Sequence, residues 1–275
     1  MRKLFKYIKY FGYYLELLGR RMSGKGNMNA KTNGEFFLLR KMLETASREH
    51  RNFVYLDIGA NIGENALYAA RLGENHNIDV QIFAFEPVPE TYQQLTENCE
   101  GYKVECINYA VGRSDDTIDF YVSKKNRLAG DNSTIQHYYL KDASKISVSQ
   151  TTIDNFVRLN NLKRLSFVKL DVEGSELNAL EGAKSSLARG IIDFIQIEYN
   201  ETWIPANASI EKVLQLLENV PYSIYRIYNS ELLGISSYHY TIEDFYYANL
   251  LIARDGIPLP GKYSREVSPI IDPSY

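Results

Sequence analysis

The chain has 275 residues, 45% of them apolar and 24% charged, with a formal net charge of −3. That length suits one large α/β domain with additions, or at most two small ones, and the composition is ordinary for a globular protein. The negative balance argues against broad attraction to nucleic acid, and no run of 18 apolar residues offers a membrane span.

The first element reads as a basic amphipathic helix. In "MRKLFKYIKYFGYYLELLGRR", Leu4, Ile8, Phe11, Leu15 and Leu18 line one face, with Arg2, Lys6 and Lys9 opposite. Lys6, Lys9 and Glu16 break the apolar stretch and no small-residue cleavage site follows, so it is not a signal peptide. The pattern suits peripheral contact with an anionic membrane, and equally packing on the parent domain or on a dimer partner. Residues 22–34, rich in Gly, Asn and Ser, read as a linker, and 35–46 as a short helix. Residues 1–46 are therefore expected to form an N-terminal helical extension ahead of a main domain over 47–255. Cys99 and Cys106 match no metal or redox spacing and read as inert thiols in a reducing cytosol. A cytoplasmic location is expected, at the inner membrane surface if the first helix docks there.

From residue 53 strand-like and helical patterns alternate. The strand-like runs are "FVYLDI", "VQIFAFE", "KVECINYAV", "SFVKLDV" and "IIDFIQIEY"; helices are expected near 64–72, 89–98, 175–187 and 209–219, the last capped by Ser209. Such alternation with near-continuous apolar strands predicts an α/β fold with a mostly parallel sheet covered on both sides. "YSIYRIYN" and "YYANLLIAR" have no clear helix between them, which predicts antiparallel pairing at the end of the sheet. Residues 113–152 break the rhythm and read as a small β excursion with a long loop, a usual place for substrate contacts. Within it, "NST" at 132–134 reads as a loop contact. Residues 256–275 carry four prolines and read as an extended tail.

The first strand ends in "DIGANIG". A dinucleotide site uses G-x-G-x-x-G, whose middle glycine admits a pyrophosphate at a helix N-terminus. This chain has Gly59-Ala60-Asn61-Ile62-Gly63 instead, with Asn61 at the middle position and an acid, Asp57, two residues before the first glycine. An acid beside a bare backbone suits S-adenosyl-L-methionine, which carries a sulfonium and an ammonium and no phosphate. Glu86, ending the second strand, is placed to accept hydrogen bonds from ribose hydroxyls, as acids also do in NAD sites.

These segments, "LDIGANIG", "FAFEP", "NYAVG", "TTIDNF" and "VKLDVEGSELNALEGA", follow one another as in the FkbM-type methyltransferases, and the chain resembles that family over about residues 53–200. The resemblance implies a class I Rossmann-like fold of seven strands with an antiparallel last one. It also implies SAM-dependent O-methylation of a hydroxyl on a saccharide, glycolipid or related natural product. By position it assigns Asp57, Gly59, Ala60, Asn61 and Gly63 to the methionine end of the donor, Glu86 to the ribose, and Asn108 and Ala110 to the neighbourhood of the adenine. Asp171 and Glu173 come to the reacting end.

"FVKLDVEGSE" sends Lys169, Asp171 and Glu173 to one face if the strand continues that far, at a sheet edge where open α/β folds bind ligands. Asp171 or Glu173 is the candidate base for the hydroxyl proton. The alternative is a divalent ion held by Asp171, Glu173 and Glu198; the spacing selects neither, and the metal-free base is preferred. Two other function classes stay in view: an NAD-linked oxidoreductase on a similar sheet, and a non-catalytic glycan-binding or membrane-docked module. The oligomeric state is not legible.

Overall fold

The computed structural model describes residues 26–124, 132–135 and 142–264, together with 10, 11, 13–15 and 19. Most of the expected N-terminal helix and the last eleven residues lie outside the described residues. No helix among the described residues is long and apolar enough to cross a membrane.

The framework is one nine-stranded sheet. Its parallel half comprises β1 (Phe53–Ile58), β2 (Val80–Phe85), β3 (Val104–Ile107), β7 (Leu165–Leu170) and β8 (Ile192–Tyr199). The other half comprises β9 (Tyr222–Tyr228), β10 (Glu231–Ile235), β11 (Ala248–Arg254) and β12 (Lys262–Ser264). The order is β12-β10-β9-β11-β8-β7-β1-β2-β3. The seven expected strands are all present, and β11, the last of them in the chain, runs antiparallel to both β8 and β9. Strands β10 and β12 extend that edge beyond the expected seven, because the apolar positions Leu232 and Ile235 find a place in the core.

Helices cover both faces. On one side α1 (Glu35–Arg48) and α2 (Glu64–His76) bury Leu38, Leu39, Met42 and Leu43 with Ala66 and Ala69 against Phe53, Tyr55 and Phe167. On the other, α4 (Ile153–Leu159), α5 (Glu176–Glu181), α6 (Lys184–Ala188) and α7 (Ile210–Leu217) enclose Leu56, Val168, Ile195 and Ile252. Helix α3 (Pro89–Asn98) lies beside β3, at the edge of the sheet. The helix α4 went unmarked in the sequence, although Thr152 supplies the cap, its side chain accepting from the Asn155 amide. The helix expected over 175–187 is split at Gly182. A Cβ there would lie 2.1 Å from the Gly112 carbonyl oxygen, so the chain needs a bare backbone to pass.

The single run "KVECINYAV" also divides. Its end forms β4 (Ala110–Val111), which leaves the main sheet and joins β5 (Asp116–Ser123) and β6 (Ala143–Thr151) in a three-stranded sheet ordered β4-β6-β5. A small core of Val88, Ala110, Phe120, Val122 and Val148 holds this excursion above the cleft.

Trp203 ties the end of β8 in place. It is fully buried, its indole donates to the Glu198 carbonyl at 3.0 Å, and its ring meets Tyr199 edge-on at 5.0 Å. Replacing Trp203 by Ala is expected to cost about 3–5 kcal/mol in urea unfolding. The exposed Leu159→Ala should stay within about 0.5 kcal/mol.

Candidate functional site

The cleft lies at the carboxyl ends of the parallel strands, as expected for an open α/β sheet. It is lined by the loop after β1, the end of β2, the β3–β4 connection, the β excursion and the turn after β7.

The loop after β1 is built for close approach. Gly59 has φ +82°, and a Cβ on it would fall 1.8 Å from the Asp171 carbonyl oxygen. Gly63 has φ +91° and packs over Leu95, whose Cδ1 would be 2.7 Å from an added Cβ. Asn61 is also left-handed (φ 48°), a conformation that asparagine tolerates better than most residues. Gly59 and Asn61 line the cleft, while the side chain of Ala60 turns into the core.

Asp57 is fully buried and does not line the cleft. Alternation along β1 sends it to the face of Phe53 and Tyr55, beneath α1 and α2. The Tyr55 hydroxyl and the Ala66 amide approach its carboxylate, but neither of its oxygens is held in a hydrogen bond of full geometry. Burial raises its pKa to about 6, with the Lys169 ammonium offsetting part of that rise.

Glu86 lines the cleft and ties its two glycine-side walls together. Its carboxylate accepts from the Asn61 amide at 3.1 Å and the Val88 amide at 2.9 Å. Burial nevertheless pushes its pKa to about 7. Two accepted bonds leave lone pairs free for further donors. Ala110 lines the cleft; Asn108 does not. Its amide instead donates to the Glu86 and Pro87 carbonyls, at 2.8 and 3.1 Å, and so braces the corner that carries Glu86.

At the other wall Lys169 donates to the Asp171 carboxylate. Lys169 is nearly fully buried, whereas the Asp171 side chain is 31% exposed to the cleft. Burial pushes the Asp171 pKa up, but the Lys169 ammonium and a hydrogen bond from Glu198 together outweigh it and the carboxyl ends below its ordinary value. Glu198 behaves oppositely: burial, then the charges of Asp171 and Glu173, hold it well above the usual range. Asn200 fixes it by donating to Oε1 at 2.7 Å. One carboxylate oxygen from each of Asp171, Glu173 and Glu198 lies within 4.8 Å of the others. Glu173 reaches this group from a strained backbone (φ 50°), and does not itself line the cleft.

The turn after β7 is closed by Glu176, whose carboxylate accepts from the Val172 and Gly174 amides, each at 3.0 Å. The excursion grips the same turn from above. Ser133 Oγ donates to the Glu173 carbonyl at 2.7 Å, and the Thr134 and Ser175 hydroxyls hydrogen-bond. "NST" is thus a loop contact, and Asn132 and Thr134 line the cleft. Sequence reasoning missed Thr91, Tyr109, Phe120 and Ser175 in the lining and the orienting role of Asn200. Of these only Tyr109 carried a signal, a large aromatic between two strand patterns that is left 43% exposed.

The hexuronic acid methyltransferase AglP of Haloferax volcanii is 28% identical over 165 residues, covering 60% of this chain and 62% of that protein. The 2-O-methyltransferase NoeI of Sinorhizobium fredii is 26% identical over 160 residues, covering 54% and 63%. The chain thus spans less than two thirds of the length of either relative. Among solved structures, the SAH-bound methyltransferase PaMTH1 of Podospora anserina shares 11% identity at a TM-score of 0.41, covering 78% of this chain and 76% of that one. The methyltransferase FkbM domain matches residues 57–224, more than half of the chain, and the protein belongs to that family.

Proposed function

We propose that the protein is an S-adenosyl-L-methionine-dependent O-methyltransferase acting on a hydroxyl of a saccharide or a related natural product. The observation that carries this reading is the excess of buried negative charge behind the glycine loop. Asp57 is fully buried with no hydrogen bond of full geometry, and among the described residues the Lys169 ammonium is shared by Asp57, Asp171 and Glu35. A buried unpaired carboxylate is costly and favours a cationic ligand. The sulfonium and ammonium of SAM meet that demand, whereas a pyrophosphate would be repelled. AglP is named for a hexuronic acid and NoeI for 2-O-methyl transfer, and both names support an oxygen acceptor on a sugar.

The residues fit the donor as follows. Gly59, Asn61 and the field of Asp57 would hold the methionine end, Glu86 the ribose hydroxyls, and Tyr109, Ala110 and Val111 the base. When bound, SAM supplies a methyl group activated by the sulfonium. The chain's part is to align the acceptor oxygen and remove its proton. Asp171 is the base in this reading. Its lowered pKa makes it weak, but a hydroxyl turns strongly acidic as its oxygen gains a third bond, so late transfer to a weak base suffices. Lys169 favours the ionised form of Asp171, and burial beside that charge makes Glu198 hold its proton more tightly than an ordinary glutamate. The same Lys169 disfavours a divalent ion on Asp171, Glu173 and Glu198: one prospective ligand already binds an ammonium and another an Asn200 amide. Phe120, Asn132 and Thr134 of the β excursion would stand on the acceptor side in this reading.

Three measurements test these assignments. Isothermal titration should show SAM and its demethylated product binding and NAD failing to compete. Asp57→Asn should then weaken SAM about tenfold without loss of thermal stability, because the substitution removes an unpaired buried charge. NAD binding in place of SAM would refute the reading.

Asp171→Asn should lower kcat by about a hundredfold or more while donor affinity stays within a few-fold, and a chelator should leave the wild-type rate intact. Full activity in Asp171→Asn would remove it from the mechanism.

The pH dependence has a definite sign. Asp57 near 6 and Glu86 near 7 are raised above their ordinary values, so the fold favours their protonated forms. Their contribution to the stability of the ligand-free protein is full below about pH 4 and is lost as pH climbs through 6 to 7. A cation prefers the ionised forms, so SAM affinity should rise by about tenfold between about pH 5.5 and pH 8. A flat profile would detach both carboxyls from the donor site.

A further inference from the structure

Strand β3 is the edge of the parallel half, and α3 lies beside it. Cys99 is the C-cap residue of α3, and Cys106 stands in β3 opposite Ala84. The two thiols are free and hydrogen-bond each other. They are not equivalent. Cys99 is buried, while Cys106 is half-buried in a wide surface hollow it shares with Cys99, Tyr92, Thr96 and Tyr102. The bond from Cys99 pulls the Cys106 thiol down to about 7, against the effect of burial; the same bond, with burial, pushes Cys99 up. A half-exposed thiolate backed by a buried thiol is the arrangement that oxidises at one sulfur and resolves at the other.

What lies behind the pair links it to the cleft. Cys99 Sγ is 3.2 Å from the place a Cβ on Gly63 would occupy, so the sulfur supports the left-handed turn that closes the glycine loop. A disulfide needs an S–S distance of about 2.05 Å, well inside the separation of two hydrogen-bonded sulfurs. Closing it shifts the Cys99 sulfur towards Cys106 in β3, and so moves a side chain that packs at Gly63.

We propose that Cys99 and Cys106 form a redox-modification site that reacts with hydroperoxides, closes as a disulfide, and thereby loosens the glycine loop that holds the methyl donor. The Cys106 thiolate attacks a peroxide oxygen, breaking the O–O bond to leave a sulfenic acid and, with a proton, the first water. The Cys99 thiol then displaces the second water and forms the S–S bond. Two thiols lose two electrons in all and one hydrogen peroxide gains them. A dithiol reductant reverses the change. The loop half of the proposal rests on the functional reading above; the thiol half does not.

The test uses the whole protein treated with hydrogen peroxide near stoichiometry. Peptide mass spectrometry should find a Cys99–Cys106 cross-link lighter by two hydrogens. Titration with SAM should show affinity falling about tenfold on oxidation, about 1.4 kcal/mol, and returning with dithiothreitol. Cys106→Ser should bind SAM like the reduced protein and ignore peroxide. Absence of the cross-link, including oxidation that stops at a Cys106 sulfinic acid, would overturn the proposal, as would a cross-link with unchanged affinity. A reduced protein that binds no SAM would overturn the functional reading and the loop half with it, while the cross-link still decides the thiol half.

Discussion

The site depends on one electrostatic constraint: several carboxylates are taken out of water at one sheet edge with a single ammonium among them. Asp57 and Lys169 face each other across β1 and β7, Asp171 follows on the same face, and Glu198 pairs across β8 and β11 with Asn249. The fold manages this load unevenly. Asp171 takes the ammonium, Glu198 is pushed towards its protonated form beside an asparagine, and Asp57 has the Lys169 field without a hydrogen bond of full geometry. Charge arranged in that way is unfavourable for the empty protein and favourable once a cation arrives, which is how a pocket turns stability into selectivity.

The second organising feature is the double hold on the turn after β7. Glu176 closes it from below through two amides, and the Ser133–Thr134 loop closes it from above. Glu173 keeps a left-handed backbone there because both grips over-determine it. The Asp171 region is thereby a rigid wall, although it belongs to a connection between strand and helix.

The parallel half was readable because its strands carry near-continuous apolar runs and its glycines stand where the chain turns. The edge strands β10 and β12 were not, since five and three residues of mixed polarity carry no period that separates them from loop. The break at Gly182 was hidden for a different reason: it arises from the approach of Gly112, seventy residues earlier, which no local pattern encodes. At the site, Asp57, Glu86, Asp171 and Glu198 stood out as acids at strand ends. Asn108 did not reveal its role, because an asparagine that braces two carbonyls reads the same as one that meets a ligand. Lys169 could be placed beside Asp171 by alternation, but its burial among several acids depends on α1 and β11, which lie outside the matched segment.

Strand β11 is nearly the last element of the main sheet to be synthesised, yet it lies between β8 and β9 and pairs with both. It also brings Asn249, whose amide donates to Glu35 at the start of α1, 3.0 Å away. While the chain emerges from the ribosome, β8 therefore has an open edge, and Glu35 lacks its Asn249 partner, until residues 248–254 appear. The middle of the sheet can close only once that late strand has been made.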